Sequence, residues 1–232
     1  LAARSNRPAV CAQDFDHAKD RLLLGNERRS LVMSDEDRRR WDARYTDRPL
    51  PDDITVPDEF VPYTDRFPTT GRGLDLACGQ GTFTVWLARR GVTMQGLDVS
   101  PEAIRRARDL AHRDGVADRC RFDVADLDDG LPPGDPVNVI VCYRFWDPAL
   151  AWAIADRLVP GGILAMCALS TGRHGASADE LRMTFPGLEI IGSGEVGGRS
   201  WMLAVRAGIR RPSGRSSSGP RRATPDADCG AD

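Results

Sequence analysis

What most limits the fold of this chain is the stretch G-L-D-L-A-C-G-Q-G-T-F at 73–83, followed by G-L-D-V-S-P at 96–101. The first segment reads as a short apolar strand that carries an acidic residue and turns through glycines into a helix. The second is another strand, closing on Asp98 ahead of a helix start at Ser100 and Pro101. A strand, a glycine turn, a helix and a second strand with a terminal carboxylate make a nucleotide-binding βαβ unit. A dinucleotide site needs a third glycine so that a pyrophosphate can reach the helix N-terminus. Thr84 stands at that point. Asp75, four residues before Gly79, would repel a pyrophosphate and suits a cationic amino group.

Apolar runs alternate with helical patterns on either side of this unit. The periodicity predicts strands at 73–77, 94–98, 120–124, 137–143, 161–169, 188–193 and 200–206. Helices fall at 81–90, 101–114, 148–158 and 177–184, and a short one around 59–67. Ser100 is the expected cap of helix 101–114, with Pro101 in its first turn. Leu131–Pro136 is too proline-rich for a full crossover helix. Strict alternation implies a parallel sheet with crossover helices. The glycine-rich turn from Gly192 to Arg199 is too short for a crossover, so the last two strands must pair antiparallel. The expected class is α/β: Rossmann-like, doubly wound, seven-stranded and mostly parallel, with an antiparallel final hairpin.

Composition narrows the functional classes. A chain of 232 residues can bury one sizeable core, and a net charge of −2 gives no global attraction to nucleic acid or to anionic membrane. No apolar run approaches the roughly 20 residues that span a bilayer, and no signal-peptide core is evident. The six cysteines include no C-x-x-C pair, and Cys142 and Cys167 fall inside apolar strands. That pattern predicts neither a metal site nor a disulfide framework, and a cytoplasmic location.

The run Asp75-Leu-Ala-Cys-Gly-Gln-Gly81 resembles the first motif of class I S-adenosylmethionine-dependent methyltransferases, D/E-x-G-x-G-x-G, with Ala77 in place of the first glycine. The resemblance extends over about 41–206, and a W-x-x-x-Y segment, Trp41 to Tyr45, is similar to one in the tellurite-resistance branch. S-adenosylmethionine offers an ammonium, a sulfonium and a ribose diol together, which matches the two carboxylates. The resemblance implies a cofactor site made by Asp75, Ala77, Gly79, Gly81, Asp98, Val99, Asp126, Leu127 and Cys142. Asp98 would accept the ribose hydroxyls. As a strand-end carboxylate it is expected to contribute little to stability. Asp126 would face the adenine amino group in preference to Asp123, which strand alternation points the other way. Trp86 reads as a packing residue of helix 81–90.

The expected layout is an N-terminal extension over 1–32, with Met33 as the native start, and a helical lid segment over 33–70. An S-adenosylmethionine-binding domain follows over 71–207, then a disordered Arg/Ser/Pro-rich tail over 208–232. Methyl transfer requires alignment more than a fixed catalytic signature, and none is visible. His174, Asp147 and Arg144 are candidates for catalysis. Trp41, Tyr45 and Trp146 are candidates for a lid or for acceptor contact. C-Y-R-F-W-D-P at 142–148 lacks the Asn/Asp-Pro-Pro-aromatic loop of the DNA- and N-methylating branches. The expected function is transfer of a methyl group to a small-molecule acceptor, with no nucleic-acid or membrane partner. The competing reading is a catalytically silent cofactor-binding regulatory domain. A nicotinamide oxidoreductase is disfavoured by Thr84 and by the final hairpin.

Overall fold

The computed structural model describes residues 38–172, 175–185 and 187–208. The expectations for 1–32, for a start at Met33, for the tail beyond 208 and for His174 fall outside the described residues.

A helix, α1 (38–46), precedes a 3₁₀ segment, Asp58–Arg66. Then come β1 (Arg72–Leu76), α2 (Thr82–Arg89), β2 (Thr93–Asp98), α3 (Pro101–Arg113), β3 (Cys120–Val124) and β4 (Val137–Tyr143). The chain continues through α4 (Ala151–Arg157), β5 (Leu158–Leu169), α5 (Ala178–Thr184), β6 (Leu188–Val196) and β7 (Arg199–Arg206). The seven strands lie in the order β3-β2-β1-β4-β5-β7-β6, with β7 antiparallel to both β5 and β6. The order reverses between β1 and β4, and in such sheets ligands bind beyond the strand ends at that switch.

Two apolar layers sandwich the sheet. One, with Phe60, Phe83, Leu87, Ile104 and Leu110, packs α2, α3 and the 3₁₀ segment on one face. The other, with Ile140, Ile154, Leu158, Leu181 and Phe185, packs α4 and α5 on the opposite face. Trp86 stands edge-on to Phe67 and Phe83, with Arg90 over its ring, so its role is packing. Ser100 caps α3 by accepting the Ala103 amide at 3.0 Å.

Three boundaries differ from expectation for local reasons. The expected helix 148–158 is split into a 3₁₀ turn, Pro148–Leu150, and a shorter α4. β5 starts at Leu158 instead of 161, because the register with β4 jumps across Pro160-Gly161-Gly162, and Gly161 takes a φ of +81°. The hairpin turn is only Gly197-Gly198, at φ +54° and +72°, while Gly192 and Gly194 lie inside β6. A side chain at Gly192 would run into the Tyr63 hydroxyl, and one at Gly194 would press on Trp201. These two glycines make room for aromatic rings and do not bend the chain.

Candidate cofactor and acceptor site

The glycine loop begins where β1 ends. Ala77, Gly79 and Gly81 all have positive φ, at +52°, +54° and +76°. Ala77 thus holds a left-handed conformation that costs an L-residue about 1–2 kcal/mol. Gly81 serves as the N-cap of α2, and a side chain there would meet Ala107 and Phe122 at 2.9–3.0 Å. The loop is therefore pressed close to both α3 and β3.

Two carboxylates are buried beside it. Asp75 is 2 % exposed and accepts a hydrogen bond from the Thr84 hydroxyl at 2.6 Å. Thr84, read from the sequence only as a missing glycine, is therefore the group that anchors this carboxyl. Burial pushes the Asp75 pKa up to about 7, against the Thr84 hydrogen bonds. Asp98 is 6 % exposed, and its two oxygens accept the Gly79 amide at 2.8 Å and the Ser100 amide at 2.9 Å. Burial raises its pKa as well, with those amides opposing. Asp98 thus ties the loop to the start of α3. This corrects the expectation that it contributes little to stability, because removal would leave two backbone donors unsatisfied.

α1 lies across this junction. Asp42 accepts from the Ser100 hydroxyl and from the Glu102 amide, the latter at 3.2 Å. Trp41 and Tyr45 stack at 6.1 Å between centroids. The Tyr45 hydroxyl stands over Gly79, where an added Cβ would lie 2.7 Å from it, and burial followed by the Asp98 charge pushes its pKa up to about 12. Arg106 holds the carbonyls of Thr46 and Arg48. Gln80 donates to the carbonyls of Arg48 and Pro49 at 3.3 Å.

At the end of β3, Asp126 is half-buried and accepts the Asp128 amide at 2.9 Å, while Asp123 is held by Gln95 and Arg121. Val99 is half-buried, and Leu127 is buried in the α4/α5 layer. Two other candidates are taken up by packing. The Cys142 thiol is 1 % exposed and donates to the Phe145 carbonyl at 3.2 Å, so it is closed to a ligand. Trp146 is 6 % exposed with its ring 5.9 Å from Phe185, so it belongs to the core and not to an acceptor mouth. An indole in a loop, between Arg144-Phe145 and Asp147-Pro148, gave no sign of that burial. Asp147 caps the 3₁₀ turn through the Ala149 amide at 2.9 Å. Arg144 is exposed at φ +68°, and its amide donates to the Cys167 carbonyl at 2.6 Å.

One charged group was missed altogether. Glu59, on the 3₁₀ segment, accepts from Arg199 Nε at 2.6 Å and from the Tyr143 hydroxyl at 3.4 Å. Its members are 84 and 140 residues apart, so no local pattern links them. A cleft lined by Arg108, His112, Cys120 and Arg121 sits at the opposite end of β3, away from the strand carboxyl ends. Among the described residues, no cluster could hold a metal ion, and no helix is long and apolar enough to cross a membrane.

Residues 74–162 match the family model of a methyltransferase domain. An uncharacterized methyltransferase of Synechocystis sp. is 37 % identical over 101 residues, 40 % of this chain and 44 % of that protein. The structure of TehB from Haemophilus influenzae superposes with a TM-score of 0.57 at 16 % identity, over 66 % of this chain and 63 % of that one. Residues 74–162 are thus similar to a methyltransferase domain, and the seven-stranded sheet with its final antiparallel hairpin is the class I methyltransferase fold. A ribosomal protein L11 methyltransferase of Deinococcus radiodurans is 30 % identical over 141 residues, 58 % of this chain and 52 % of that protein. The chain spans about half, or less, of the length of these curated relatives. Separately from methyltransferases, 38 residues are 53 % identical to an ATP-dependent zinc metalloprotease FtsH of Acidobacterium capsulatum, covering 16 % of this chain and 6 % of that protein.

Proposed function

We propose that the methyltransferase domain binds S-adenosylmethionine over the ends of β1, β2 and β3 and transfers its methyl group to a small-molecule acceptor. The observation that carries this reading is Asp75, a buried carboxylate beside the glycine loop whose partner is a neutral hydroxyl. Its raised pKa marks a site short of positive charge, and an ammonium group placed there would relieve it. The positive-φ run at Ala77, Gly79 and Gly81 lets a ligand approach the backbone closely.

The residues fit the cofactor as follows. Asp98 keeps lone pairs for two ribose hydroxyls after accepting its two amides. Asp126 and the Leu127 amide face the adenine, and Asp75 faces the amino group. Trp41 and Tyr45 cover the reacting end and exclude water. The bound cofactor supplies an electrophilic methyl on a sulfonium. The protein then holds the acceptor in line with it, and alignment of that kind is worth on the order of 7–11 kcal/mol at most. A compact acceptor fits the connections at 144–150 and 170–177, which are too short in sequence to hold a further helical domain.

Calorimetry with S-adenosylhomocysteine and NAD tests the cofactor. Micromolar-range binding of the first and none of the second is expected, and the reverse would overturn the reading. Methyl transfer to ribosomal RNA or ribosomal protein in preference to small acids, phenols, amines and thiols would replace the acceptor class.

A further inference from the structure

The ends of β4, β5 and β7 carry a charged group that the cofactor reading does not use. The last β1–β4 pair is Leu76 with Cys142, so Tyr143 stands one residue further, beside Ala77 at the root of the glycine loop. Tyr143 pairs with Cys167 of β5, and Cys167 with Trp201 of β7. One row further out, Arg199 is directly opposite Leu169 on β5 and Val196 on β6. Residues opposite one another share a face of the sheet. Alternation along β7 puts Arg199 on the face of Trp201, where the 3₁₀ segment packs.

What this cluster offers to a ligand differs from what it contains. The Glu59 side chain has no exposure, whereas that of Arg199 is 30 % exposed and Tyr143 is half-buried. Glu59 therefore sits behind the other two and fixes their orientation. Among the described residues, the Arg199 guanidinium hydrogen-bonds only to Glu59, and only through Nε. Burial, then the neighbouring Cys167 and Glu59, pushes the Tyr143 pKa up to about 12, so its hydroxyl stays protonated, and because its contact with Glu59 is long, at 3.4 Å, that single proton can turn from Glu59 to a ligand oxygen. Leu169 and Val196, 36 % and 47 % exposed, flank Arg199 with apolar surface. Two hydrogen-bond donors between exposed apolar side chains match an oxyanion on an apolar body, and a guanidinium fork matches a carboxylate best.

We propose that Arg199 and Tyr143, backed by Glu59, are the acceptor-recognition residues of this domain and that they hold the carboxylate of a small apolar acid. The assignment rests on the cofactor reading above, since it places the acceptor next to Ala77. It also assigns Tyr143 to recognition and not to proton removal.

The test uses the full chain saturated with S-adenosylhomocysteine, titrated calorimetrically with hexanoate and benzoate and with hexanamide and benzamide. Both carboxylates should bind about tenfold or more tightly than their amides, as expected for charge-assisted pairing. Arg199→Lys should weaken carboxylate binding about tenfold by losing the fork, and Tyr143→Phe by about fivefold. Glu59→Gln keeps a hydrogen-bond acceptor behind Arg199 but removes the competing charge, so it should tighten carboxylate binding; a merely structural Glu59 would not do this. None of the three should change S-adenosylhomocysteine affinity. Equal binding of acids and amides, or an unaffected Arg199→Lys, overturns the assignment while the cofactor reading stands. Loss of S-adenosylhomocysteine binding by the unaltered chain overturns both.

Discussion

The two halves of the strand-end edge hold their charges in opposite ways. On the β1–β2 side, Asp75 and Asp98 are buried against a hydroxyl and two backbone amides. On the β4–β7 side, the one buried carboxylate among the described residues, Glu59, is met by a guanidinium at 2.6 Å. The first half is short of positive charge, and burial raises the pKa of both its carboxyls. The second is neutralised from within and presents donors. An isolated buried carboxylate is costly, whereas a paired one largely cancels its own penalty. The difference teaches where a cationic ligand would gain most: at Asp75 and Asp98, not at Glu59.

The sharpest way to break the contrast is Asp98→Ala. Two buried amides lose their acceptor at about 1–3 kcal/mol each, so unfolding free energy should fall by about 2–6 kcal/mol. S-adenosylhomocysteine affinity should fall by about a hundredfold or more as the ribose hydroxyls lose charge-assisted bonds. Chemical denaturation and calorimetry read the two effects separately. An unchanged melting midpoint would show that the Gly79 and Ser100 amides find other partners.

Asp75 should behave with the opposite sign. Its folded pKa of about 7 lies above the ordinary 3.8. Its neutral form is therefore favoured in the native state, and that advantage is complete below pH 3.8 and lost as pH rises to about 7. The ligand-free domain should lose stability across that window by on the order of 4 kcal/mol at most. Asp75→Asn should flatten the profile, making the free protein more stable at pH 8 while weakening ligand binding. In the unaltered chain, affinity for the ammonium-bearing ligand should rise with pH through the same range. A stability profile identical in wild type and Asp75→Asn would remove Asp75 from this role.

The α1 cover ranks third. Deleting residues 1–45 removes Trp41, Asp42 and Tyr45, and with them the hydrogen bonds from Ser100 and Glu102. If these groups shield the reacting end, the dissociation rate of S-adenosylhomocysteine should rise about tenfold while the melting temperature falls by only a few degrees. A large drop in melting temperature with an unchanged off-rate would make the helix a packing element.

The two halves were also unequally legible. The β1–β2 side is written in one contiguous run, because strand, glycine turn and helix impose residue types at fixed spacing, and Asp75, Ala77, Gly79, Gly81 and Asp98 emerged from it. The antiparallel pairing of the last two strands followed as well, since a short Gly-rich link forces it. The β4–β7 side depends on Glu59, Tyr143 and Arg199 meeting across three distant elements, and nothing local marks such a meeting. Trp146 misled for the same reason: its burial is decided by Phe185, on the far side of β5 in sequence. Gly192 and Gly194 misled in reverse, since glycines that yield space to Tyr63 and Trp201 have the composition of a turn.

The smallest expected effect tests the one departure inside the motif itself. Ala77 sits at φ +52° with its Cβ in a region that L-residues avoid, whereas Gly79 and Gly81 adopt similar angles without that penalty. Ala77→Gly should recover about 1–2 kcal/mol of strain. Glycine gives back about 0.5–1 kcal/mol of this through the greater freedom of the unfolded chain. The net gain is about 0–1.5 kcal/mol, a rise of a few degrees at most in melting temperature for a domain of this size. Binding carries the sharper information. If the Ala77 methyl merely borders the ligand, S-adenosylhomocysteine affinity should stay within about twofold as the domain stabilises. If affinity falls while stability rises, the strained alanine is holding the loop in its binding shape, and the strain belongs to the site.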